Sequence, residues 1–465
     1  MNKRIIVTLT LLSLVFVFSQ CSDDEGVRTA GDIQEETLKP ATPSSVDCST
    51  CTYVVPADVS TIDGNALNLK PGDVICLNGA TKYTKSLTFK NIIGTAQSPI
   101  MITNCGGVAN LTVSSRPFNF KTSNSKYFRI TGGNVKNGYG IRISGSTSNG
   151  MVLTELSTNF EVDHVEVFNV GFAGIMAKTD PSCDNATNRG YFTMRNISIH
   201  DNYIHDTDGE GMYIGHSFYG GYELDCGVKL PHLIEGAKIY DNRVTDTGWD
   251  GIQLACASVG AEVYGNTVQN FGTAKKADQN YGILLSSGTG GICHGNYIKG
   301  GSGTALTVFG LGDNLIYNNI IVNSAHTGIF CDERTDNLGD GYQVLNNTII
   351  NPKEVGIRMY GDKVPKNVVI NNIVVNPGAF GEHGESAFIM KLNSMKNMEQ
   401  SNNLTTRNIG EVKFVDSGKA NFRLKGESPA VDEGKSISSY DIALDFYKST
   451  RLTGDAYDIG ASEYQ

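Results

Sequence analysis

A short pattern centred on asparagine recurs along the chain and constrains the fold more than any other feature. An apolar residue, a variable residue, Asn, a variable residue and Ile or Val precede a turn, and Gly-Ile follows it, as in YDNRV and DGIQL. The apolar residues alternate over short runs, which is the spacing of β-strands and not of helices. The repeated asparagines, about 23 to 40 residues apart, are Asn202, Asn242, Asn266, Asn296, Asn319, Asn347 and Asn372.

This repeat length predicts a solenoid. A shortest spacing of about 23 residues with longer outliers indicates a constant coil that carries loop insertions. Three short strands per coil, stacked about 4.8 Å apart, form an all-β parallel β-solenoid. One coil cannot bury a core alone, so we expect about ten or more coils. The 53 glycines agree with a fold of many turns. A β-propeller is the alternative, but its repeats are longer.

A second column of the repeat lies four residues after each asparagine and consists of Asp, Asn or Gly. Short polar side chains there cap their own backbone in a turn, and Asn tolerates the left-handed conformation that a sharp corner needs. We therefore interpret the acids of this column as architectural. The column is Asp206, Asp246, Asn270, Gly300, Asn323, Asn351 and Asn376.

Two segments resemble a known family. The segment from Leu69 to Gly107, LKPGDVICLNGATKYTKSLTFKNIIGTAQSPIMITNCGG, is similar to the first coil of chondroitinase-B-like proteins. The closing segment, NFRLKGESPAVDEG to DIGASEY, resembles the C-terminal end of many exported β-helix proteins. The chain thus resembles, over about residues 50–465, the right-handed parallel β-helix proteins that include pectate lyases, polygalacturonases and chondroitinase B. The resemblance implies a groove beside the first parallel sheet that holds a polysaccharide, but the fold hosts many activities.

Two acids stand outside the repeat. Eight residues after the asparagine, the coils carry Glu210 and Asp250 in succession, where later coils have Thr304, Thr327 and Val355. Two like charges one strand spacing apart cost free energy unless a cation or a shared proton relieves them. They are either a functional pair or two solvated surface acids.

The next strand offers residues for substrate binding. Eleven residues after the asparagine, side chains point outward because the residue before them points into the core. Long insertions, which are often functional, fall on the same coils at Ser217–Gly236 and Phe271–Asn280. The candidate substrate-binding residues are Tyr213, Gln253, Trp249, Lys275, Lys276, Phe330 and Arg358.

Three activities fit these residues. A glycoside hydrolase needs two carboxylates, for which Glu210 and Asp250 are candidates, with Asp208 or Asp332 as a more distant partner. A polysaccharide lyase needs the charge of a uronate neutralised, which calcium held by Glu210 and Asp250 can do, and a base. The third activity is non-catalytic glycan binding at the surface. The base candidates are His216, Lys275, Lys276, Arg358 and Tyr213.

The N-terminus predicts export. An apolar run after Lys3 and Arg4 reads as a signal peptide over residues 1–20, and Cys21 occupies the place of a lipidated cysteine. We expect a tether over 21–45, the β-helix over 46–380, and end coils with a cap over 381–465. The expected protein is a monomeric outer-membrane lipoprotein with a polysaccharide partner. A net charge of −10 argues against nucleic acid.

Export to an oxidising compartment predicts disulfides. Cys183 and Cys226 fall in neighbouring loops and are expected to pair. For the N-terminal cysteines, a local bridge between Cys48 and Cys51 or a Cys76–Cys105 bridge is favoured over a metal. Cys256, Cys293 and Cys331 are expected to be buried free thiols.

Overall fold

The structure is a computed structural model that describes residues 42–43, 47–133, 135–136, 138–335, 338–378, 387–392 and 395–465. The expected signal peptide, the lipidation site Cys21 and most of the tether lie outside the described residues. A helix long and apolar enough to cross a membrane is not found in the described part of the chain.

Nearly all strands belong to three parallel sheets, named here in the order in which a coil visits them. Sheet 1 has 12 strands: Thr61–Asp63, Leu87–Lys90, Phe118–Ser123, Asn149–Leu153, Ile175–Ala177, Met212–Ile214, Ile252–Leu254, Ile283–Leu285, Leu306–Val308, Ile329–Cys331, Ile357–Met359 and Ile389–Lys391. Sheet 2 has 14 strands: Tyr53–Val54, Val74–Asn78, Ile100–Cys105, Lys126–Thr131, Thr158–Asp163, Thr193–His200, Leu233–Tyr240, Ala257–Val259, Glu262–Tyr264, Ile292–His294, Leu315–Tyr317, Gln343–Leu345, Asn367–Ile370 and Met398–Ser401. Sheet 3 has 11 strands: Ala109–Thr112, Ile141–Ser144, Val165–Val170, Tyr203–Thr207, Arg243–Thr247, Thr267–Gln269, Tyr297–Lys299, Ile320–Val322, Thr348–Ile350, Ile373–Val375 and Leu404–Thr406.

The remaining elements are short. Three antiparallel pairs join Thr42–Pro43 to Val135–Lys136, Tyr222–Leu224 to Gly227–Lys229, and Phe414–Asp416 to Asn421–Leu424. The helical elements are one α-helical turn, Ile409–Val412, and the 3-10 turns Cys48–Thr50, Ser417–Lys419 and Ser438–Tyr440.

The three sheets are the faces of a right-handed parallel β-helix, which confirms the predicted fold class. Each strand pairs in parallel with the equivalent strand of the next coil, and connections between parallel strands of one sheet are almost always right-handed. One continuous apolar core fills the centre from Val55 to Met395. It forms because the first and third residues of most sheet 1 strands point inward.

The repeated asparagines form a buried ladder of side-chain amides. At each rung, Nδ2 donates to Oδ1 of the asparagine in the next coil, as from Asn266 to Asn296 and from Asn296 to Asn319, both at 3.0 Å. Oδ1 also accepts the backbone N–H of the preceding rung, at 3.0 Å from Asn266. Asn403, in the last coil, ends the ladder. The ladder satisfies polar groups that a tight corner would otherwise leave buried and unpaired.

The left-handed corner residues differ in part from the expectation. The residue before each ladder asparagine has positive φ, for example Asp201 at 52° and Asn346 at 51°. The ladder asparagines themselves are not in this conformation, because their side chains are engaged between coils. The column four residues on does adopt it, with Asp206 at 51° and Asp246 at 55°, so these two acids belong to the turn.

Disulfides close the N-terminal end, with a pairing different from either predicted option. Cys48 bonds to Cys105 and Cys51 bonds to Cys76. Cys76 faces Thr103 across the sheet and is therefore two residues out of register with Cys105. Instead, the 3-10 turn at Cys48–Thr50 brings Cys48 and the following Cys51 to the two adjacent strands, which carry Cys105 and Cys76.

A cap covers sheets 2 and 3 at the C-terminal end. Arg451 is buried, donating to Glu463 at 3.1 Å and to Asn318 of the solenoid. A second apolar cluster, which includes Phe422 and Phe446, packs these residues against the last coils. The cap thus covers outward-facing apolar side chains of sheet 3, which include Tyr297 and Ile320.

Candidate functional site

The outer face of sheet 1 carries the middle residue of each strand, and the parallel register stacks these residues into a column. Its central members are buried, because Tyr281, Phe309 and Tyr360 pack across them from the flanking turns. Gln253 is 2% exposed and Phe330 is 9% exposed. Both residues therefore form the floor of the groove, whereas the sequence predicts that they lie on an open contact surface. The column is Met176, Tyr213, Gln253, Leu284, Thr307, Phe330 and Arg358.

An aromatic pair crosses the groove where the turns enter sheet 1. Phe172 and Trp249 occupy the same turn position two coils apart and meet edge to face, with ring centroids 5.3 Å apart. They can meet because the coil between them has Gly209, where a Cβ would lie 2.6 Å from the Phe172 ring. Phe172 also contacts the Tyr213 ring at 6.2 Å.

Glu210 and Asp250 lie beside this pair on consecutive coils. The Gly211 N–H donates to the Asp250 carbonyl at 2.9 Å. The two acids are 2% and 0% exposed, so they are not solvated surface acids. Asp250 Oδ1 accepts the Tyr281 N–H at 2.8 Å. Glu210 Oε2 and Asp250 Oδ2 are buried without a hydrogen-bond partner among the described residues.

This burial changes the acidity of both carboxyls. Burial raises the pKa of Glu210 to about 7, although Lys276 and Lys178 act in the opposite direction. Burial also raises the pKa of Asp250 well above its ordinary value, and the charge of Glu210 adds to the effect. A carboxyl that is still protonated near neutral pH can serve as a general acid.

Cations lie on the aromatic rings along this face. The Lys276 ammonium is 3.3 Å from the Trp249 ring centroid, and the Lys178 ammonium is 5.4 Å from that of Tyr213. Further along, the Arg334 guanidinium lies 3.8 Å from Phe309. Arg358 lies 4.3 Å from both Phe330 and Tyr360. Such cation–π contacts hold a positive charge in place over an apolar surface.

His216 does not face the groove. It is buried among aromatic rings, with Phe218 at 5.5 Å and Tyr222 at 5.0 Å. Its Nδ1 accepts the Phe218 N–H at 3.2 Å, and Nε2 lies 3.6 Å from Asp180. Burial and then Lys178 lower the pKa of His216 to about 4. The expected base therefore anchors an inserted loop.

Asp208 and Lys275 are also separate from the buried acids. Asp208 is exposed at the corner between sheets 3 and 1, in an open pocket of 630 Å³ shared with Asp206 and Asp246. The neighbouring coils carry Gly171 and Gly248 at this place, where a Cβ would lie 2.3 Å from Thr147 O and 2.1 Å from Asp208 O. Lys275 is exposed at φ 52° in the turn that presents Lys276.

The inserted segments form one wall of the groove. Cys183 and Cys226 are joined by a disulfide, which ties the hairpin of Tyr222–Leu224 and Gly227–Lys229 to the preceding loop. Ser217, at the base of the hairpin, bonds to the Tyr213 hydroxyl and accepts from Gln253 Nε2, both at 3.0 Å. Cys256, Cys293 and Cys331 are free and buried.

The residues at Glu210 and Asp250 do not fit a calcium ion. Calcium takes six to eight oxygen ligands, with ionised carboxylates among them. Here Glu210 and Asp250 belong to no group of three or more potential metal-ligating side chains among the described residues, and Asp250 Oδ1 already accepts the Tyr281 N–H at 2.8 Å. No chemical step is assigned to calcium.

Several residues of the groove were not predicted from the sequence. Phe172 shares its turn position with Trp249, so column alignment could have found it. Lys178 and Arg334 follow sheet 1 strands, and only the rings beneath them identify them. Tyr281 and Phe309 flank the outward column and were not recognised as its cover.

Comparison with known proteins supports the fold. The family described as "Right handed beta helix region" matches residues 234–409. No curated protein matches the chain. Pectate lyase Pel9A is similar in structure, with a TM-score of 0.51 and 15% identity over 85% of this chain and 89% of its own. A GH136 lacto-N-biosidase from Eubacterium ramulus has a TM-score of 0.52 and 13% identity, over 77% of this chain and 68% of its own. At these identities the likeness concerns the fold.

Proposed function

We propose that the protein cleaves an acidic polysaccharide laid along the outer face of sheet 1. The carrying observation is that four cations, held on aromatic rings, line the face beside the buried carboxyls of Glu210 and Asp250. Aromatic rings suit the apolar faces of sugars, and the cations suit carboxylates along the chain. The structurally similar pectate lyase and lacto-N-biosidase act on glycans by their printed names, which agrees with this class of substrate.

The chemistry favoured by these residues is elimination. Hydrolysis with retention needs one ionised carboxylate as nucleophile and one acid, whereas burial raises the pKa of both Glu210 and Asp250 and so disfavours the ionised form of each. In elimination, a base removes the proton at C5, the C4–O bond breaks, and a C4–C5 double bond forms. Glu210 is the proposed donor of the proton to the leaving oxygen.

The cations have a separate role in this proposal. Removal of the C5 proton builds negative charge on the uronate carboxylate, and a fixed cation beside it stabilises that charge. Lys178 and Lys276 are the cations that act on Glu210, because each of them lowers its pKa. Tyr213, whose ring lies beside the Lys178 ammonium, is the proposed group that accepts the C5 proton.

The test is an assay of purified protein on polygalacturonate and alginate, with dextran as the neutral polymer. Ultraviolet absorbance of the double bond and the number of reducing ends are followed together. We expect both to rise on an acidic polymer, and Glu210→Gln to abolish the rise. Asp208→Asn, in the separate corner pocket, is the matched control and should keep activity.

Three outcomes oppose the proposal in different ways. Reducing ends without the double bond would replace elimination by hydrolysis. Binding of an acidic polymer without cleavage would indicate the alternative, a non-catalytic glycan-binding protein. Full activity in Glu210→Gln would move the active site away from this residue.

A further inference from the structure

A cavity of 590 Å³ lies between the inserted hairpin and the rim of sheet 1. Its walls come from the hairpin on one side, with Phe218 and Tyr219, and from Arg334 on the other. Arg189 lines it from the loop that the Cys183–Cys226 disulfide ties to the hairpin. Because the cavity depends on two insertions, the repeating solenoid does not require it.

The hairpin is docked onto the solenoid. The Tyr219 ring occupies the space beside Gly288, where a Cβ would lie 2.0 Å from the ring. The Arg189 guanidinium packs on Tyr219 at 4.1 Å and donates from Nη2 to the Tyr219 carbonyl at 2.8 Å. Its Nε donates to Pro231 O at 3.2 Å. These contacts fix both the aromatic wall and one positive charge.

The second charge comes from the opposite wall. Arg334 lies on Phe309, and its Nε donates to Asp332 at 3.0 Å. Asp332 is the one hydrogen-bond partner of the Arg334 side chain among the described residues. This contact uses Nε, so neither Nη group takes part in the hydrogen bond to Asp332. Planar guanidinium groups bind carboxylate and sulfate oxygens in pairs.

The cavity adjoins the groove through Ser217. This residue lines the cavity and is hydrogen-bonded to Tyr213 and Gln253, which belong to the outward column of sheet 1. A substituent that branches from a sugar chain in the groove would therefore enter between the two arginines.

We infer that this cavity is a side subsite for an anionic substituent, a carboxylate or a sulfate ester, on the polysaccharide in the groove. The inference rests on the proposed function for the identity of the main chain. The subsite would make the enzyme select polysaccharides that carry a charged substituent next to the cleavage site.

The test measures binding by isothermal titration to three polymers that share one backbone: dextran, carboxymethyl-dextran and dextran sulfate. We expect Arg334→Gln to weaken binding of at least one charged polymer about tenfold or more, the size of a lost charge-assisted contact. Arg334→Lys should recover part of the loss. The charged polymer whose binding weakens identifies the substituent as a carboxylate or a sulfate ester.

The controls separate this inference from the proposed cleavage. Arg423→Gln removes a guanidinium that also lies on a ring, Tyr447 at 3.7 Å, but in the C-terminal cap, and should bind like the wild type. Glu210→Gln should keep the Arg334-dependent binding even if it abolishes cleavage. Equal binding of charged polymers by Arg334→Gln and wild type would overturn the subsite and leave cleavage untouched. An equal loss in Arg423→Gln would also overturn it, by indicating general charge attraction.

Discussion

Apart from Asp250 on the next coil, Glu210 occupies a position that other coils fill with residues that carry no charge. Ala173 and Val355 are completely buried there, and Thr304 and Thr327 nearly so. A buried carboxyl without full hydrogen bonding costs free energy, and the cost rises when it ionises. The repeat therefore tolerates Glu210 without needing it, which agrees with a role in catalysis.

The first prediction is that Glu210→Gln changes how stability depends on pH. The folded protein holds this proton more tightly than the unfolded chain, because the pKa rises from 4.5 to about 7. Wild-type stability should therefore fall as pH rises from 4.5 to 7, and the variant should lack that fall. The gain of the variant over wild type should grow by about 3 kcal/mol across this interval.

Urea unfolding at several pH values measures this difference. Glu354→Gln, at a half-exposed glutamate in a later turn, controls for the general loss of a carboxylate. Parallel pH profiles of wild type and Glu210→Gln would mean that Glu210 is ionised in the folded protein across the whole interval.

The second prediction concerns Trp249, whose ring packs on Phe172 beside the turn that carries Glu210. Trp249→Ala should admit water and bring the pKa of Glu210 down toward 4.5, since burial is the largest cause of the shift. Carbon-detected NMR of the glutamate carboxyls follows the titration directly. Trp249→Phe keeps a ring over the site and should titrate near the wild type. An unchanged titration in Trp249→Ala would assign the shift to other neighbours.

At this scale, sequence reasoning found the two acids but not their surroundings. Aligning the coils was enough to separate Glu210 and Asp250 from Asp206 and Asp246. The surroundings of the pair could not be predicted, because Phe172 and Trp249 beside it meet across a glycine of the coil between them. Likewise, the rings around His216 come from an insertion whose path the repeat does not determine.

Among the elements, the asparagine ladder was visible as a repeat, whereas its mechanism was not. The pattern predicted strands and corners, and both are confirmed. A period cannot tell which residues of a corner turn left-handed: the sequence placed this conformation in the column four residues after the asparagine, and the residue just before the asparagine adopts it as well. The outward direction of the sheet 1 column followed from alternation, but its cover by Tyr281 and Phe309 did not.

The third prediction is that a central rung of the ladder is worth several kcal/mol. Asn296→Ala removes the amide that bonds to Val263 O at 2.9 Å and to Asn319. It also leaves the Asn266 N–H without its acceptor. Each buried group left unpaired costs about 1–3 kcal/mol, so the free energy of unfolding should fall by about 3 kcal/mol or more. Chemical denaturation measures the loss. Asn403→Ala, at the half-buried last rung, should cost less, and an equal cost would argue against a continuous ladder.

The whole molecule distributes its charge unevenly between faces. Although the net charge is −10, sheet 1 presents four cations on rings. The outer face of sheet 2 instead carries a self-contained network. Burial raises the pKa of Asp163 there, but hydrogen bonds from His164, Arg129 and Thr131 prevail and hold it at about 2. On sheet 1, Lys178 and Arg334 are also paired with Asp180 and Asp332, and the Lys276 ammonium lies on the Trp249 ring.

The last prediction follows from this asymmetry and concerns salt. An acidic polysaccharide must approach a negatively charged protein and bind at a local positive face, so screening should weaken the specific contact more than it relieves the repulsion at longer range. Between about 0.01 M and about 0.1 M salt the screening length falls from about 30 to about 10 Å, and affinity for polygalacturonate should fall about tenfold.

Binding of Glu210→Gln, which is expected not to cleave, is measured by titration, with a neutral polymer as control. Affinity that rises with salt would mean that repulsion by the whole molecule dominates and that the cations on the rings are not the contact surface.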